Sequence, residues 1–455
     1  MMQRFTLQDA AEMAGASPQS PTVGFTGVST DTRTINPGDL FVALRGERFD
    51  GHRYVLDAAQ AGAVAAVVDH PVDGVAIPQL VVDDTLKALG RLALGNRLAS
   101  PARCVAVTGS SGKTTVKEML ASILCHQGET LATQGNLNNH IGVPLTLFRL
   151  APDHQYAVIE LGASGVGEIA YTVNLARPEV AMITNAGEAH LEGFGSYENI
   201  VEGKGEIVEG VDLDGAVILN ADDPACPIWR KRAGERRVLT VATTDDKGAD
   251  YHYRNVRSEN GQVTFEAVGP GGWIAPVRLN LPGKHNLLNA LMAIAATREL
   301  GATDDAIYRG LDELKPVKGR LEQIALQSGV NLIDDSYNAN PTSMKAAVDV
   351  LSRQPGMGVA VLGSMAELGA DADKLHAEVG AFARDKGVAH LLAVGPSAGG
   401  YLTGFGDGGL AFATHEEAVD WLIAHQAAPM TILVKGSRSS AMDNVVRALI
   451  KKVNN

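Results

Sequence analysis

The sequence predicts an α/β protein in three domains. A central P-loop domain on a doubly wound sheet is flanked by a small α/β N-terminal domain and a Rossmann-like C-terminal domain. Three observations predict this. Short apolar runs alternate with stretches of helical periodicity along most of the 455 residues, the pattern of a sheet wrapped in helices. That length suits about three domains. One apolar run, Cys104-Val105-Ala106-Val107-Thr108, opens onto a Gly/Ser loop and then a helix, the order in which a phosphate-binding loop is built.

In chain order, residues 1–83 form the N-terminal domain. Residues 1–15 read as an amphipathic segment, 23–28, 40–44 and 63–68 as strands, and 54–61 as a helix. Asn36-Pro37-Gly38-Asp39 is a turn by its residue chemistry. Residues 85–99 are apolar at helical spacing and lead into the loop-bearing strand, which puts the boundary near Asp83. The central domain, 84–315, has further strands at 157–161, 180–184, 216–219 and 238–241. Between 251 and 281 the pattern changes to hairpins, with turns at Glu259-Asn260-Gly261 and Gly269-Pro270-Gly271-Gly272, before a helix at 285–300. Residues 315–320 read as a linker. The last domain, 316–455, has strands at 331–334, 359–362, 391–394 and 431–434 with helices between them, and no phosphate loop.

The chemistry starts at Gly109-Ser110-Ser111-Gly112-Lys113-Thr114-Thr115. Loop N–H groups and the N-terminus of the following helix attract an anion. Gly109 and Gly112 let the backbone approach phosphates, Lys113 reaches the outer ones, and the Thr114 hydroxyl can ligand Mg²⁺. Val107 stands where the usual pattern has a glycine, so the loop is a shortened variant. The plain alternative is a strand–turn–helix joint with a solvated lysine. The intact Gly-Lys-Thr-Thr between strand and helix favours a nucleoside triphosphate.

Glu160 and His190 follow predicted strands, where open α/β sheets place ligands. A carboxylate and an imidazole there can hold a divalent metal or be ordinary polar residues at strand ends. Lys204, in Glu202-Gly203-Lys204-Gly205-Glu206, reads from its neighbours alone as part of a solvated helix face. Ser29, Asp31 and Arg33 read as a strand-end turn with a surface ion pair, and Asn138 and Asn139 as caps before Pro144. Lys435, Ser437 and Arg438 either meet an incoming substrate or form a solvated loop. For Glu367 and His376, metal, substrate and helix surface are all open.

Composition narrows the class. The net charge of −13 argues against nucleic acid as a partner, because counterion release needs clustered Lys and Arg. Cys104, Cys125 and Cys226 are scattered without a CxxC pair, which suggests neither a disulfide framework nor zinc and fits a reducing compartment. No basic-then-apolar leader opens the chain, and no apolar run approaches the roughly 18 residues of a membrane span. The expectation is a cytoplasmic protein with no transmembrane segment, taken as a monomer.

Jointly the motifs resemble the Mur ligase family, the ATP-dependent amide-forming ligases that build the peptidoglycan stem peptide. The loop, Glu160 and His190 carry the resemblance, with Gly283-Lys284-His285-Asn286-Leu287-Leu288-Asn289, Gly319-Arg320-Leu321-Glu322 and Asp334-Asp335-Ser336-Tyr337-Asn338-Ala339-Asn340-Pro341. It covers essentially the whole chain. It implies ATP and two Mg²⁺ ions, with Thr114, Glu160, His190 and a carbamylated Lys204 as metal ligands and Lys113, Lys204 and His190 as catalytic residues. Asn289 would contact adenine, Arg320 the phosphates on domain closure, and Asp335 the nucleotide or the hinge. Ser29-Thr30-Asp31-Thr32-Arg33, residues 37–44 and Gly46…Asp50-Gly51-His52 resemble the uridine-diphosphate pocket of the two later-acting members. Ser29, Thr32, Arg33, Asp50, Gly51, His52, Asn138 and Asn139 would then bind the UDP-linked substrate. Residues 135–144, 189–195, 335–341 and 363–369 favour the last-acting member, implying UDP-N-acetylmuramoyl-tripeptide and D-alanyl-D-alanine as substrates. One departure is Ser164-Gly165-Val166-Gly167-Glu168, where the family often has Asn-His-Pro-Gly-Glu, and no contacts are carried over to that loop. The rival readings are the preceding ligase, which adds a diamino acid, a folylpolyglutamate-type ligase, and a nucleotide switch that hydrolyses ATP without making a bond.

Overall fold

The computed structural model describes residues 1–18, 20–245, 248–259, 262–326, 329–426 and 429–453. In the N-terminal part, four parallel strands lie in the order Gly27–Ser29, Asp39–Val42, Ala65–Val68, Gln79–Val81. Two of these, Asp39–Val42 and Ala65–Val68, are buried at every position because both faces are covered. Phe41, Ala43, Ala66 and Val68 pack on the helix Val55–Gln60, while Leu40, Val42, Ala65 and Val67 face the helix Thr85–Ala99. The strand expected at 23–28 is split. Gly24–Phe25 pairs with Phe5–Thr6, and Gly27–Ser29 joins the parallel sheet. A side chain at Gly27 would fall on the Asp39 carboxylate, so the chain crosses between the two sheets there. The turn at 36–39 is present, with Asp39 N donating to Asn36 O at 3.1 Å and Gly38 at φ 98°.

The central sheet has six parallel strands in the order Thr130–Ala132, Tyr156–Glu160, Arg103–Thr108, Val180–Ile183, Ala216–Asn220, Arg237–Val241. The chain winds to one side of Arg103–Thr108 and then to the other. The winding therefore reverses beside the carboxyl end of that strand, where a crevice forms. Helices Thr85–Ala99 and Glu168–Ala176 cover one face through Leu89, Leu92, Ile169 and Val173. Helices Lys113–Cys125 and Lys284–Glu299 cover the other. Lys284–Glu299 is apolar around most of its girth, because a three-stranded antiparallel sheet packs on its outer side. That sheet is His252–Glu259, Gln262–Gly269 and Trp273–Leu279. Of the two hairpin turns expected, the one at 259–261 falls on Asn260 and Gly261, outside the described residues. The other contains a short turn, Pro270–Gly272, with Gly271 at φ 72°.

The C-terminal sheet also has six strands, in the order Glu322–Ala325, Val330–Asp335, Met430–Lys435, Met357–Gly363, His390–Val394, Gly409–Phe412. All but the first run parallel. Its carboxyl ends face the crevice of the central sheet.

Candidate active site

The phosphate loop is tied to the next strand rather than left free. Ser110 N donates to Asn185 O at 3.0 Å, Ser111 N to Asn185 Oδ1 at 2.9 Å, and Thr184 Oγ1 to Ser111 O at 2.6 Å. A side chain at Gly109 (φ 147°) would fall on Thr184 Oγ1, and Gly112 has φ 82°. Both positions need glycine. The helix begins at Lys113, whose Nζ folds back to donate to Gly109 O at 2.7 Å. Burial lowers the Lys113 pKa, while the Glu160 carboxylate opposes that shift.

Glu160 ends its strand with one oxygen engaged, as Asn138 Nδ2 donates to Oε1 at 2.8 Å. Glu160 Oε2 is buried and has no hydrogen-bond partner. An unpartnered buried carboxylate oxygen is costly without a cation, so these residues fit a divalent metal. His190 lines the same cavity and meets Glu367, from the C-terminal part, through Nδ1. Burial holds the His190 pKa below its ordinary value against the opposing pull of Glu367.

Lys204 is not on a solvated helix face. It is 1% exposed, with Nζ 3.3 Å from Ala163 O and 5.1 Å from the Phe194 ring centroid. Burial, then the Lys113 charge, lowers its pKa to about 7, opposed by Glu168 and Glu206. Flanking glycines let the helix Tyr197–Gly205 press this close. A Cβ at Gly203 would lie 2.6 Å from Phe194 Cε1. Ala163, which receives the Lys204 bond, itself lines the cavity. In the departing loop, Ser164 N donates to Glu168 Oε2 at 2.9 Å.

The far wall comes from the linker and the C-terminal part. Arg320 Nη2 donates to Thr114 Oγ1 at 3.4 Å, and its guanidinium lies 4.4 Å from the Tyr337 ring centroid. Asp335 accepts from Leu321 N at 3.1 Å and pairs with Lys435 at 2.6 Å. Lys435 is therefore no solvated loop residue, since it is 2% exposed and also donates to Asn338 O at 2.9 Å. Asn340 reaches the phosphate loop, with Nδ2 3.0 Å from Ser111 Oγ and 3.3 Å from Ser110 O. Asn340 was only one letter of a motif in the sequence. Its one visible signal was its place as an N-cap before Pro341. Asn289 lies beside Gly112 and donates to Asn286 Oδ1 at 3.1 Å. His376 is a buried loop-holder, accepting from Met365 N at 3.0 Å and bonding Ala372 O through its other nitrogen.

A cavity of about 840 Å³ thus joins the loop from Ser110 to Thr115 with Glu160, His190, Asn289, Arg320, Asp335 and Lys435. Ser437 and Arg438 are on its wall, as are Asn138 and Asn139. Asn139 Oδ1 also accepts from Gly142 N at 2.8 Å, as a cap would. Ser29, Thr32, Arg33, Asp50, Gly51 and His52 do not line this cavity. Arg33 is exposed and paired with Asp31 at 2.6 Å. Ser29 Oγ donates to Asp31 O at 3.0 Å. His52 is buried, with Nδ1 2.7 Å from Asp50 Oδ1 and Nε2 accepting from Asp69 N at 3.1 Å.

Three family models match the chain: the Mur ligase family catalytic domain over residues 24–97, the Mur ligase middle domain over 107–297, and the Mur ligase glutamate ligase domain over 319–438. The UDP-N-acetylmuramoyl-tripeptide–D-alanyl-D-alanine ligase of Escherichia coli (strain K12) is 47% identical over 447 residues, 98% of each chain. The Bacillus subtilis (strain 168) ligase of the same name is 36% identical, again over 98% of each. A crystal structure of MurF from Acinetobacter baumannii superposes with a TM-score of 0.93 at 38% identity over 99% of both chains. MurF from Thermotoga maritima in complex with ADP gives 0.85 at 29% identity, over 94% of this chain and 98% of that one. With a geometry built around a phosphate loop, and relatives this close over its whole length, the chain belongs to the Mur ligase family.

Proposed function

We propose that this chain joins D-alanyl-D-alanine to UDP-N-acetylmuramoyl-tripeptide at the expense of ATP, in peptidoglycan precursor synthesis. The observation that carries the reading is the single cavity in which a phosphate loop, an unpartnered Glu160 oxygen and cations from two domains converge. The names of the relatives support the choice of substrates.

The tripeptide carboxylate attacks the γ-phosphorus of ATP, the bond to the β-phosphate oxygen breaks, and ADP leaves. The amine of the dipeptide then attacks the acyl phosphate carbonyl. The amine loses a proton, and inorganic phosphate departs as the amide forms. The loop amides and Lys113 hold the phosphates, and Arg320 adds a cation from the linker side. Thr114, Glu160, His190 and a carbamylated Lys204 would hold Mg²⁺, which supplies charge neutralisation on the phosphates when bound. Asn289 stands where it can meet the base. Asp335 holds the linker through Leu321 N and Lys435. Ser29, Thr32, Arg33, Asp50, Gly51 and His52 form the uridine-nucleotide end of the proposal, with Asn138 and Asn139 at its inner end. The reading uses domains at 1–83, 84–315 and 316–455, in a cytoplasmic monomer; no helix among the described residues is long and apolar enough to cross a membrane.

The test is phosphate release with ATP, Mg²⁺ and UDP-N-acetylmuramoyl-tripeptide, with and without D-alanyl-D-alanine, the uridine product being followed by mass spectrometry. Release that requires both substrates and yields the pentapeptide is expected. Release without the dipeptide would point to a hydrolytic switch, and no release with this pair but release with the UDP-linked dipeptide and a diamino acid would point to the preceding ligase.

A further inference from the structure

One contact between the central and C-terminal parts is built from two residues in an unusual backbone state. His190 and Glu367 both sit at φ 59°, the left-handed region, and neither is glycine or asparagine. Such conformations persist only where surrounding contacts enforce them. Here the two side chains meet, His190 Nδ1 against Glu367 Oε2. Alongside, Glu192 N donates to Glu367 O at 3.1 Å, and Leu191 packs against the apolar core of the C-terminal part. A surface ion pair alone would carry little weight. This one is anchored by backbone bonding and packing on both sides, and both residues line the cavity.

We infer that Glu367 is a positioning residue for His190: by accepting the Nδ1 proton it fixes the tautomer that leaves Nε2 free to take a metal ion, and it does so only when the C-terminal domain lies against the central one. A carboxylate behind a ligating histidine sets ring orientation and raises basicity. Here the carboxylate belongs to a different domain from Glu160 and His190. Cation affinity and domain closure are then linked, and each must strengthen the other by the same factor. The inference rests on His190 being a metal ligand, as proposed above.

The experiment uses the full chain with saturating ADP and Mn²⁺ as the probe, bound Mn²⁺ being read by electron paramagnetic resonance. Glu367→Ala is expected to weaken Mn²⁺ binding roughly tenfold. Glu367→Gln, whose amide oxygen still accepts from Nδ1, should fall between that variant and the parent. Glu367→Gly, which suits the left-handed backbone, separates loss of the carboxylate from a folding defect and should match the alanine variant. By reciprocity, Mn²⁺ should compact the parent in small-angle scattering and leave Glu367→Ala unchanged. If His190→Ala loses Mn²⁺ while both Glu367 truncations bind it as the parent does, the positioning role is overturned and the metal ligand stands. If His190→Ala also binds Mn²⁺ normally, the metal assignment falls, and the inference with it.

Discussion

Lys204 offers the sharpest test of the site, because its burial makes a numerical claim. Its ammonium is held to a pKa of about 7, chiefly by burial and then by the Lys113 charge. The sign is that of a buried cation: the folded chain gives up this proton near pH 7, the unfolded chain only near the ordinary lysine value. Carbamylation consumes the neutral amine and CO₂, forms an N–C bond and releases one proton. At pH 7 about half of such an amine is neutral, against about one in three thousand for an ordinary lysine, a gain of roughly a thousandfold in the reactive form. The rate of modification at fixed dissolved CO₂ should therefore rise through pH 7 and level off by about pH 8, instead of climbing towards pH 10 as a surface lysine would.

Labelled bicarbonate and carbon NMR on the full chain would follow the carbamate directly, with ligase turnover read in parallel. Lys204→Ala should remove the signal, lower turnover by about a hundred- to a thousandfold, and regain part of it when a short carboxylate is added. Full activity in that variant without rescue, or a carbamate whose formation rises only above pH 9, would refute the argument from burial.

Other outcomes follow from the same geometry. Lys113→Ala should cut turnover by roughly a hundred- to a thousandfold while the melting temperature holds, and near-normal rates would remove the loop from the mechanism. Asp335→Ala leaves Lys435 buried without its carboxylate and should cost about 3–5 kcal/mol in denaturant unfolding. The double variant with Lys435→Met should recover most of that, and a loss below about 1 kcal/mol for the single change would show that the lysine finds another partner. Gly203→Ala forces a methyl against the Phe194 ring and should cost about 1–3 kcal/mol, with slower carbamylation of Lys204, whereas an unchanged melting curve would mean the helix can shift freely.

What the sequence made legible was local. The helix at 85–99 and the start of the helix at Lys113 are found where their residues put them, because caps and periodicity act over a few positions. Edge strands such as Thr130–Ala132, Gln79–Val81 and Gly409–Phe412 left no apolar run to read. They are three or four residues long, incompletely buried, and exist because a neighbour offers an open edge. The site divides in the same way. Phosphate-loop glycines announce themselves by type and spacing. Lys204 hides among Glu202 and Glu206, and only the packing of Phe194 and Trp229 around its helix makes it a buried amine. The two flanking glycines were the available clue. Lys435 was further out of reach, since its partner Asp335 is 100 positions earlier and meets it directly across two parallel strands in register.

Two domains build the site between them, and the donors show how. Glu160 and Lys113 belong to the central sheet and its helix, but Arg320 lies on the linker and Asn340 at the start of a C-terminal helix. In the arrangement described, Arg320 reaches Thr114 and Asn340 reaches Ser110 and Ser111. The phosphate loop therefore gains two of its neighbours only when the C-terminal domain is docked. The same docking brings Lys435, Ser437 and Arg438 to the cavity, where an incoming amine would approach. One movement would then complete the phosphate pocket and present the acceptor. Alignment of three substrates, rather than any single acid or base, is the larger share of the rate gain such a site can supply. On this reasoning substitutions between 335 and 340 should lower kcat for the ligation more than they weaken ATP binding, even where the altered side chain touches no reacting atom.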